Sequence, residues 1–255
     1  MRSFSVRLLA MCCLAAGPGA LAGEEVPPLN GYVLAAVRSM PAGGGYEASQ
    51  KAVDRLAAAV TYEAGVIRQD PGKAGASFCS GATYLVFLRA IEMLRKNGSV
   101  SLPERALARF ADLDVKDGEE VFGRWNANGP GTAKLFAELG CGVNFTDYES
   151  ARAGDFMKIW WTDEIGGAER GHLVVLLGQT KDSVSFWSSN QPSGYGRKSV
   201  AKEKIKRVLF SRLTDHRRLK RASGLGGRNR FLAEMLHKRF RWEDVVRECR
   251  VREKP

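Results

Sequence analysis

The chain has 255 residues, of which 44% are hydrophobic and 26% are charged, and this composition excludes a disordered chain. After the N-terminal segment, no apolar run approaches the roughly 20 residues that a membrane-spanning helix needs. The net charge of +11 is uneven, because residues 197–255 carry 20 Lys plus Arg against 7 Asp plus Glu. A nearly neutral body is therefore followed by a basic C-terminal segment.

The first 22 residues are typical of a secretory signal peptide. Arg2 and Arg7 supply positive charge, Leu8–Ala16 is a short apolar stretch, and Ala20-Leu21-Ala22 has the small-x-small pattern of a cleavage site. We therefore expect an exported protein, periplasmic or secreted, that is cleaved near Ala22.

Three cysteines remain after such a cleavage: Cys79, Cys141 and Cys249. Their spacing matches no Cys-x-x-Cys or Cys/His zinc motif, so we expect neither a metal site nor a cofactor. Cys141, in a Gly-Cys-Gly turn, is interpreted as structural or as a disulfide partner of Cys249.

The predicted elements begin with an extended lead-in over residues 23–45, rich in Pro and Gly, and a domain over residues 46–213. Glu47–Val60 has apolar residues at helical spacing and predicts an amphipathic helix. Glu63–Ser77 contains several Gly and Pro residues and predicts a loop.

Cys79–Lys96 is the clearest predicted helix, with a broad apolar arc, a narrow polar stripe and a stop at Asn97-Gly98. Ser77 or Ser80 is predicted to cap its start. A helix with so little polar surface is expected near the middle of the domain.

Short helices are predicted around Pro103–Phe110 and Thr132–Leu139, with a polar loop, Arg124–Gly131, between them. The apolar period then becomes that of strands, which are predicted at Phe156–Trp161, His172–Leu177, Val184–Ser189 and Arg207–Leu213. Helices followed by strands indicate an α+β fold, with the long Cys-bearing helix packed on an antiparallel sheet. Residues 214–255 are predicted to form a basic helical extension that closes with a helix at Phe231–Phe240.

Cys79 lies at the start of the long helix, where the helix dipole and unpaired N–H groups favour a thiolate. Its backbone N–H is expected to help bind an oxyanion, and Gly81 to let a substrate approach closely. Without further context, a cysteine at this position is a small core residue.

His172 opens an apolar strand, whereas His216 and His237 lie in the basic segment. If the next hairpin loop is centred on Lys181, His172 pairs with Asn190, with Cβ atoms roughly 4.5–5.5 Å apart. We therefore predict a nucleophile, a base and an orienting amide. The alternatives are an edge histidine and a strand-end cap, and a one-residue slip would turn Asn190 to the other face.

These residues resemble motifs of the NlpC-type and CHAP-type papain-like cysteine hydrolases of bacteria. Phe78-Cys79-Ser80-Gly81 is similar to the Asp-Cys-Ser-Gly motif, with Phe in place of Asp. Ala153-Gly154-Asp155-Phe156 and Gly171-His172-Leu173-Val174-Val175 are similar to the Gly-Asp-hydrophobic turn and the Gly-His-Val-hydrophobic strand. Ser189-Asn190-Gln191 resembles the segment that carries the third residue in CHAP-type members.

The resemblance covers Glu47–Leu213 and implies a papain-like fold that hydrolyses an amide bond, most often in peptidoglycan. It also implies that Tyr62 lines the oxyanion site, although packing is the alternative for that residue. Trp125 and Asn126, with Asn128, are predicted to line a groove for sugar or peptide, unless they form a plain surface loop. The long segment Asn97–Ala153 leaves the substrate open.

Two other functions remain open at this stage. A non-catalytic envelope-binding protein on the same fold would use the basic segment to contact anionic envelope polymers or lipid head groups. An acyltransferase would use the same residues with a different acceptor. The signal peptide argues against nucleic acid as a partner, and a basic helix packed on the body is the plain alternative for this segment.

Overall fold

The computed structural model describes residues 27–169 and 171–255, so the predicted signal peptide lies outside the described residues. The helices are α1 (Pro28–Arg38), α2 (Gln50–Ala58), α3 (Cys79–Lys96), α4 (Glu104–Ala111), α5 (Glu120–Asn126), α6 (Gly131–Leu139), α7 (Arg230–Ala233) and α8 (Trp242–Glu248). The strands are β1 (Gly43–Gly44), β2 (Val60–Glu63), β3 (Val66–Gln69), β4 (Gly142–Phe145), β5 (Phe156–Trp160), β6 (Gly171–Gln179), β7 (Ser183–Asn190), β8 (Gly194–Ala201), β9 (Arg207–Leu213) and β10 (Val251–Arg252).

Within the described residues, a sheet of eight strands runs in the order β1-β8-β7-β6-β5-β9-β4-β10, and β2 and β3 form a separate hairpin. The pairs are antiparallel except for β10, which lies parallel to β4, so the sheet is mixed rather than antiparallel throughout. Helix α3 packs against β6 and β7. The α+β class and the long helix on the sheet are confirmed.

Helix α3 has the predicted bounds, and most of its residues are buried in the main core. The predicted caps are wrong: the N-cap is Phe78, and no side chain caps the helix. The Ser80 hydroxyl donates instead to Asn126 Oδ1 at 2.8 Å. Gly81 serves packing rather than substrate approach, because a Cβ there would lie 2.9 Å from Leu56 Cδ2.

The predicted extended lead-in is wrong over Pro28–Arg38, which forms helix α1. Proline is well accepted in the first helical turn, where its missing N–H costs no hydrogen bond. Val33, Ala36 and Val37 are buried against the main core. The predicted helix before Val60 is shorter than expected, and the predicted loop after Glu63 contains strand β3.

The predicted polar loop Arg124–Gly131 is wrong in its first part, which belongs to α5. Arg124 is 2% exposed and forms an ion pair of 2.5 Å with Glu138. Trp125 is 1% exposed and stacks on Phe87 with ring centroids 4.8 Å apart. This segment is therefore part of the core, through a buried guanidinium paired with a partly exposed carboxylate and through a buried ring, although its polar residues suggested a surface loop.

The basic C-terminal segment is built into the body. Leu219 and Ala222, in a 3₁₀ helix, belong to the main core, and β10 extends the sheet. The predicted helix Phe231–Phe240 is wrong beyond α7, because the chain turns and brings the Phe231 and Phe240 rings to 5.0 Å. None of the helices in the described part of the chain has the length and apolar content of a transmembrane span.

Candidate active site

Cys79 begins α3 beside the first residues of β6 and is half-buried. Burial by itself would raise the pKa of its thiol, but the hydrogen bond and charge of His172, the Leu173 backbone N–H and the charge of Lys158 lower that pKa to about 7. The uncapped start of α3 also adds its dipole in the same direction. A substantial thiolate fraction is therefore expected at neutral pH.

His172 lies between this thiol and Asn190. Its Nε2 is 3.1 Å from Asn190 Oδ1. The Asn190 amide nitrogen donates to the carbonyl oxygens of Ser188 at 3.2 Å and Gly196 at 2.9 Å, which assigns Oδ1 to the imidazole. Nε2 must then carry the proton, and Nδ1 is left to accept one from Cys79.

The pairing of β6 with β7 produces this contact. Val175 lies opposite Trp187, and the same register places His172 opposite Asn190. Nearer the turn the register differs by one residue, with Gln179 opposite Val184, and a bulge between Leu176 and Gly178 separates the two registers.

Tyr46 is a further candidate residue of the site, which the sequence did not predict. Its hydroxyl hydrogen-bonds to Cys79, and burial, with the negative charge and hydrogen bond of Cys79, raises its pKa to about 12. The phenol is therefore a permanent donor beside the thiolate. β1 leads into Tyr46 and pairs with β8 through Gly194, where a Cβ would lie 2.2 Å from Gly43 O. The run Gly43–Gly45 immediately before Tyr46 is a weak sequence signal for this position.

Tyr62, the tyrosine predicted at the oxyanion site, lies elsewhere. It is in β2, and the tip of the β2–β3 hairpin lies at the C-terminal end of α3, where Arg95 donates to Gly65 O at 2.7 Å. With a rise of about 1.5 Å per residue, that end of the helix is roughly 24 Å from Cys79. Tyr62 is half-buried and packs against the main core, in keeping with the packing alternative, and it does not line the cavity at Cys79 or the cleft at His172.

Lys158 and Glu169 form a buried ion pair near Cys79, at 2.6 Å, with side chains 13% and 0% exposed. Glu169 also accepts from Trp160 Nε1 at 2.9 Å and from two backbone N–H groups. Although burial opposes ionisation, these contacts hold the pKa of Glu169 below its usual range. Gly171 makes room for the pair, because a Cβ there would lie 2.5 Å from Lys158 Nζ.

Two openings lie beside the site, and Asn128 and Gly171 line both of them. A cleft of about 760 Å³ contains Tyr46, His172 and Asn190. A cavity of about 100 Å³ lies between Cys79, the segment from Trp125 to Ala133, and strands β5, β6 and β9.

The predicted groove residues Trp125 and Asn126 both line the smaller cavity, but each is engaged in the protein. Trp125 donates to Ser80 O at 3.0 Å. The Asn126 amide accepts from Ser80 and hydrogen-bonds to Asp117. Asn128 lines both openings, and its side chain has no hydrogen bond among the described residues, so its amide is the one available to a ligand.

The other two cysteines do not share this environment. Cys141 and Cys249 are free, buried and in different hydrophobic clusters, so the alternative of a disulfide between them is wrong. Burial raises the pKa of Cys141 to about 12 and that of Cys249 further still. Both are structural thiols.

In the described part of the chain, no three His, Cys, Asp or Glu side chains cluster in a way that could hold a metal ion. Comparison with protein-family models, with curated proteins and with solved structures finds nothing that matches this chain.

Proposed function

We propose that this chain is an exported cysteine amidohydrolase or peptidase with a papain-like arrangement, acting on an amide bond, with peptidoglycan peptides as the substrate class. The observation that carries the proposal is the chain of contacts Cys79–His172–Asn190, with the thiol pKa lowered to about 7. A nucleophile, a base and a group that orients the base are the parts that cysteine catalysis requires.

The reaction follows from these positions. The Cys79 thiolate attacks the amide carbonyl and forms a C–S bond, and the Cys79 backbone N–H and the Tyr46 hydroxyl hold the oxyanion. Protonated His172 gives its proton to the leaving amine as the C–N bond breaks. Water then attacks the thioester while His172 takes a proton from it, which releases the acid and regenerates the thiol.

Digestion of purified peptidoglycan, followed by detection of new amino and carboxyl groups, tests the proposal. Cys79→Ala is expected to remove nearly all activity, because a nucleophile and its base act as a unit. Cys141→Ala is the matched control, since that buried thiol lies outside the site. Full activity in Cys79→Ala would sink the proposal. Transfer of the acyl group to an added amine instead of water would make the protein an acyltransferase.

A second candidate is a non-catalytic protein that binds anionic envelope polymers. It is favoured by a cleft of about 860 Å³ that five arginines and one carboxylate, Glu138, line among the described residues: Arg124, Arg221, Arg228, Arg230 and Arg250. Co-sedimentation with anionic polymer across a salt series tests it, because exposed charge pairs are screened by salt. Binding that Arg228→Ala and Arg230→Ala abolish, with an unreactive Cys79, would favour this candidate.

A further inference from the structure

The cavity of about 100 Å³ beside Cys79 has the features of an anion site. A water molecule occupies about 30 Å³ in the liquid, so the cavity has room for a group the size of a carboxylate. The start of α6 and the side chain of Lys158 form part of its wall. The start of α6 contributes backbone N–H donors, and Lys158 contributes an ammonium group.

Helix α6 has nine residues, and its first three, Gly131, Thr132 and Ala133, all line the cavity. Backbone N–H groups at these positions have no acceptor within the helix, and no side chain caps it at Pro130. The N-terminus of a helix favours an anion, since the dipole and the N–H groups act together.

Thr132 is the second, independent observation. Its side chain is buried, with the residue 4% exposed, and its Oγ1 has no hydrogen-bond partner among the described residues. A buried hydroxyl without a partner is unfavourable unless a ligand or a water satisfies it. The residue lines the same cavity, so a bound acceptor would complete it.

Lys158 adds a cationic group, which is ion-paired with Glu169. Its ammonium has three donors, and among the described residues it makes one hydrogen bond, to Glu169 at 2.6 Å. The Glu169 carboxylate is already held by Trp160, Gly166 and Gly129, and it does not line the small cavity. The remaining ammonium protons are available to a ligand in the cavity.

We infer that this cavity binds a carboxylate that the substrate carries next to the scissile amide. The inference rests on the proposed function and deepens it: the preferred substrates are peptides with a free carboxylate on the residue adjoining the cleaved bond. The carboxylate accepts from Thr132 Oγ1, from the first N–H groups of α6 and from Lys158. A carboxamide at the same position lacks the charge and binds less well.

Alkylation of Cys79 with iodoacetate and with iodoacetamide tests this without a known substrate. Both reagents form an S–C bond and release iodide, and they differ only in carrying a carboxylate or a carboxamide. We expect the ratio of the two rate constants, iodoacetate over iodoacetamide, to exceed that of a free cysteine peptide. Thr132→Val is expected to lower the ratio about tenfold, the effect of one hydrogen bond to a charged group. Thr61→Val, on an exposed position of β2, is the matched control and should keep the wild-type ratio. A wild-type ratio equal to that of the peptide, or an unchanged ratio in Thr132→Val, would overturn the inference.

A second measurement applies even if Cys79 proves unreactive. In Cys79→Ser protein, sodium acetate is expected to raise Tm above the value in sodium chloride of equal ionic strength, because a ligand of the folded state stabilises it. Adding Thr132→Val should remove that difference. The absence of an acetate-specific rise in Tm would overturn the anion site.

The failure of each proposal has its own signature. If the iodoacetate preference or the acetate-specific rise in Tm is found but no amide is cleaved, the anion site is supported and the proposed function is rejected. Cleavage of matched Glu and Gln peptides at equal rates keeps the proposed function and rejects the carboxylate preference.

Discussion

The imidazole of His172 and the amide of Asn190 face each other across strands β6 and β7, joined by a contact of 3.1 Å. The amide is fixed, because its nitrogen donates to two backbone carbonyls, and Asn190 is 4% exposed. The His172 ring also meets Phe186 edge to face, at 5.6 Å between centroids. The orientation of the base is therefore set by a buried acceptor and a packed ring.

Removing the acceptor should slow reactions of the thiol. In Asn190→Ala, the rate of iodoacetamide labelling of Cys79 at pH 6 is expected to fall about 10- to 150-fold, which corresponds to about 1.5–3 kcal/mol for a hydrogen bond to a charged group. Gln191→Ala, at the exposed neighbouring position, is the control and should label normally. Equal rates in both variants would show that Asn190 does not orient the base.

The pH dependence of labelling follows from the pKa of Cys79. The thiolate fraction, and with it the labelling rate, should rise through a midpoint near pH 7. His172→Ala removes the hydrogen bond and the positive charge but keeps the burial, so its midpoint should move upward, and its rate at pH 7 should fall. Cys141, with its pKa raised to about 12, should stay unlabelled in the folded protein. A midpoint that His172→Ala leaves in place would contradict the pairing.

The same labelling assay tests which tyrosine, Tyr46 or Tyr62, acts on the Cys79 thiol. Tyr46→Phe removes a donor to the Cys79 sulfur, so the labelling midpoint should rise. Tyr62→Phe makes the same chemical change in the β2–β3 hairpin and should leave the midpoint unchanged. A shift in Tyr62→Phe with none in Tyr46→Phe would reverse the assignment.

Asp155 is predicted to be a stability residue and not a catalytic acid. Its carboxylate, with no exposed surface, accepts from Arg212 at 2.8 and 2.7 Å and from Asn30 at 2.8 Å. Asp155→Ala leaves the Arg212 charge buried without a partner and should cost about 3–5 kcal/mol in the free energy of unfolding. Asp163→Ala, which breaks exposed ion pairs with Lys206 and Arg207, should cost about 0–1 kcal/mol. Urea unfolding followed by circular dichroism measures both, and similar losses would contradict the assignment.

Glu169 should make stability depend on pH in the acid range. Its pKa is lower in the folded state than its ordinary value of 4.5. Its ionised form therefore stabilises the fold fully above that ordinary value, and the contribution is lost as the pH falls through the folded-state pKa. The difference in unfolding free energy between wild type and Glu169→Gln should be constant at neutral pH and shrink well below pH 4.5. A difference that stays constant down to pH 3 would show that these contacts do not lower the pKa of Glu169.

Local pattern predicted much of the scaffold. Helix α3 has its predicted bounds, and the four strands predicted from Phe156 to Leu213 are confirmed to within a few residues. These segments succeed because apolar residues recur at the period of one element and are buried on the side that the period indicates. The prediction of a polar loop at Arg124 was wrong because Arg124 is buried through its ion pair with Glu138. Glu138 lies in another helix, so the sequence around Arg124 carries no local signal of that pair.

The pairing of His172 with Asn190 depends both on the local sequence pattern and on packing across the sheet. The prediction assumed a hairpin loop centred on Lys181, whereas the strands leave the turn in a register one residue different, with Gln179 opposite Val184. The bulge after Leu176 then restores the register that places His172 opposite Asn190. A bulge depends on packing across the sheet, and the hairpin sequence alone did not indicate it.

By itself, the sequence determined the α+β class, the long helix that begins at Cys79 and the strands that carry His172 and Asn190, because each depends on short-range periodicity and strand alternation. Only the tertiary structure decided that Tyr46 rather than Tyr62 lies at the thiol, and that Thr132 and Lys158 share a cavity with Cys79. These contacts join segments far apart in the chain. Their geometry is set by how the helices pack on the sheet, and no local pattern encodes that.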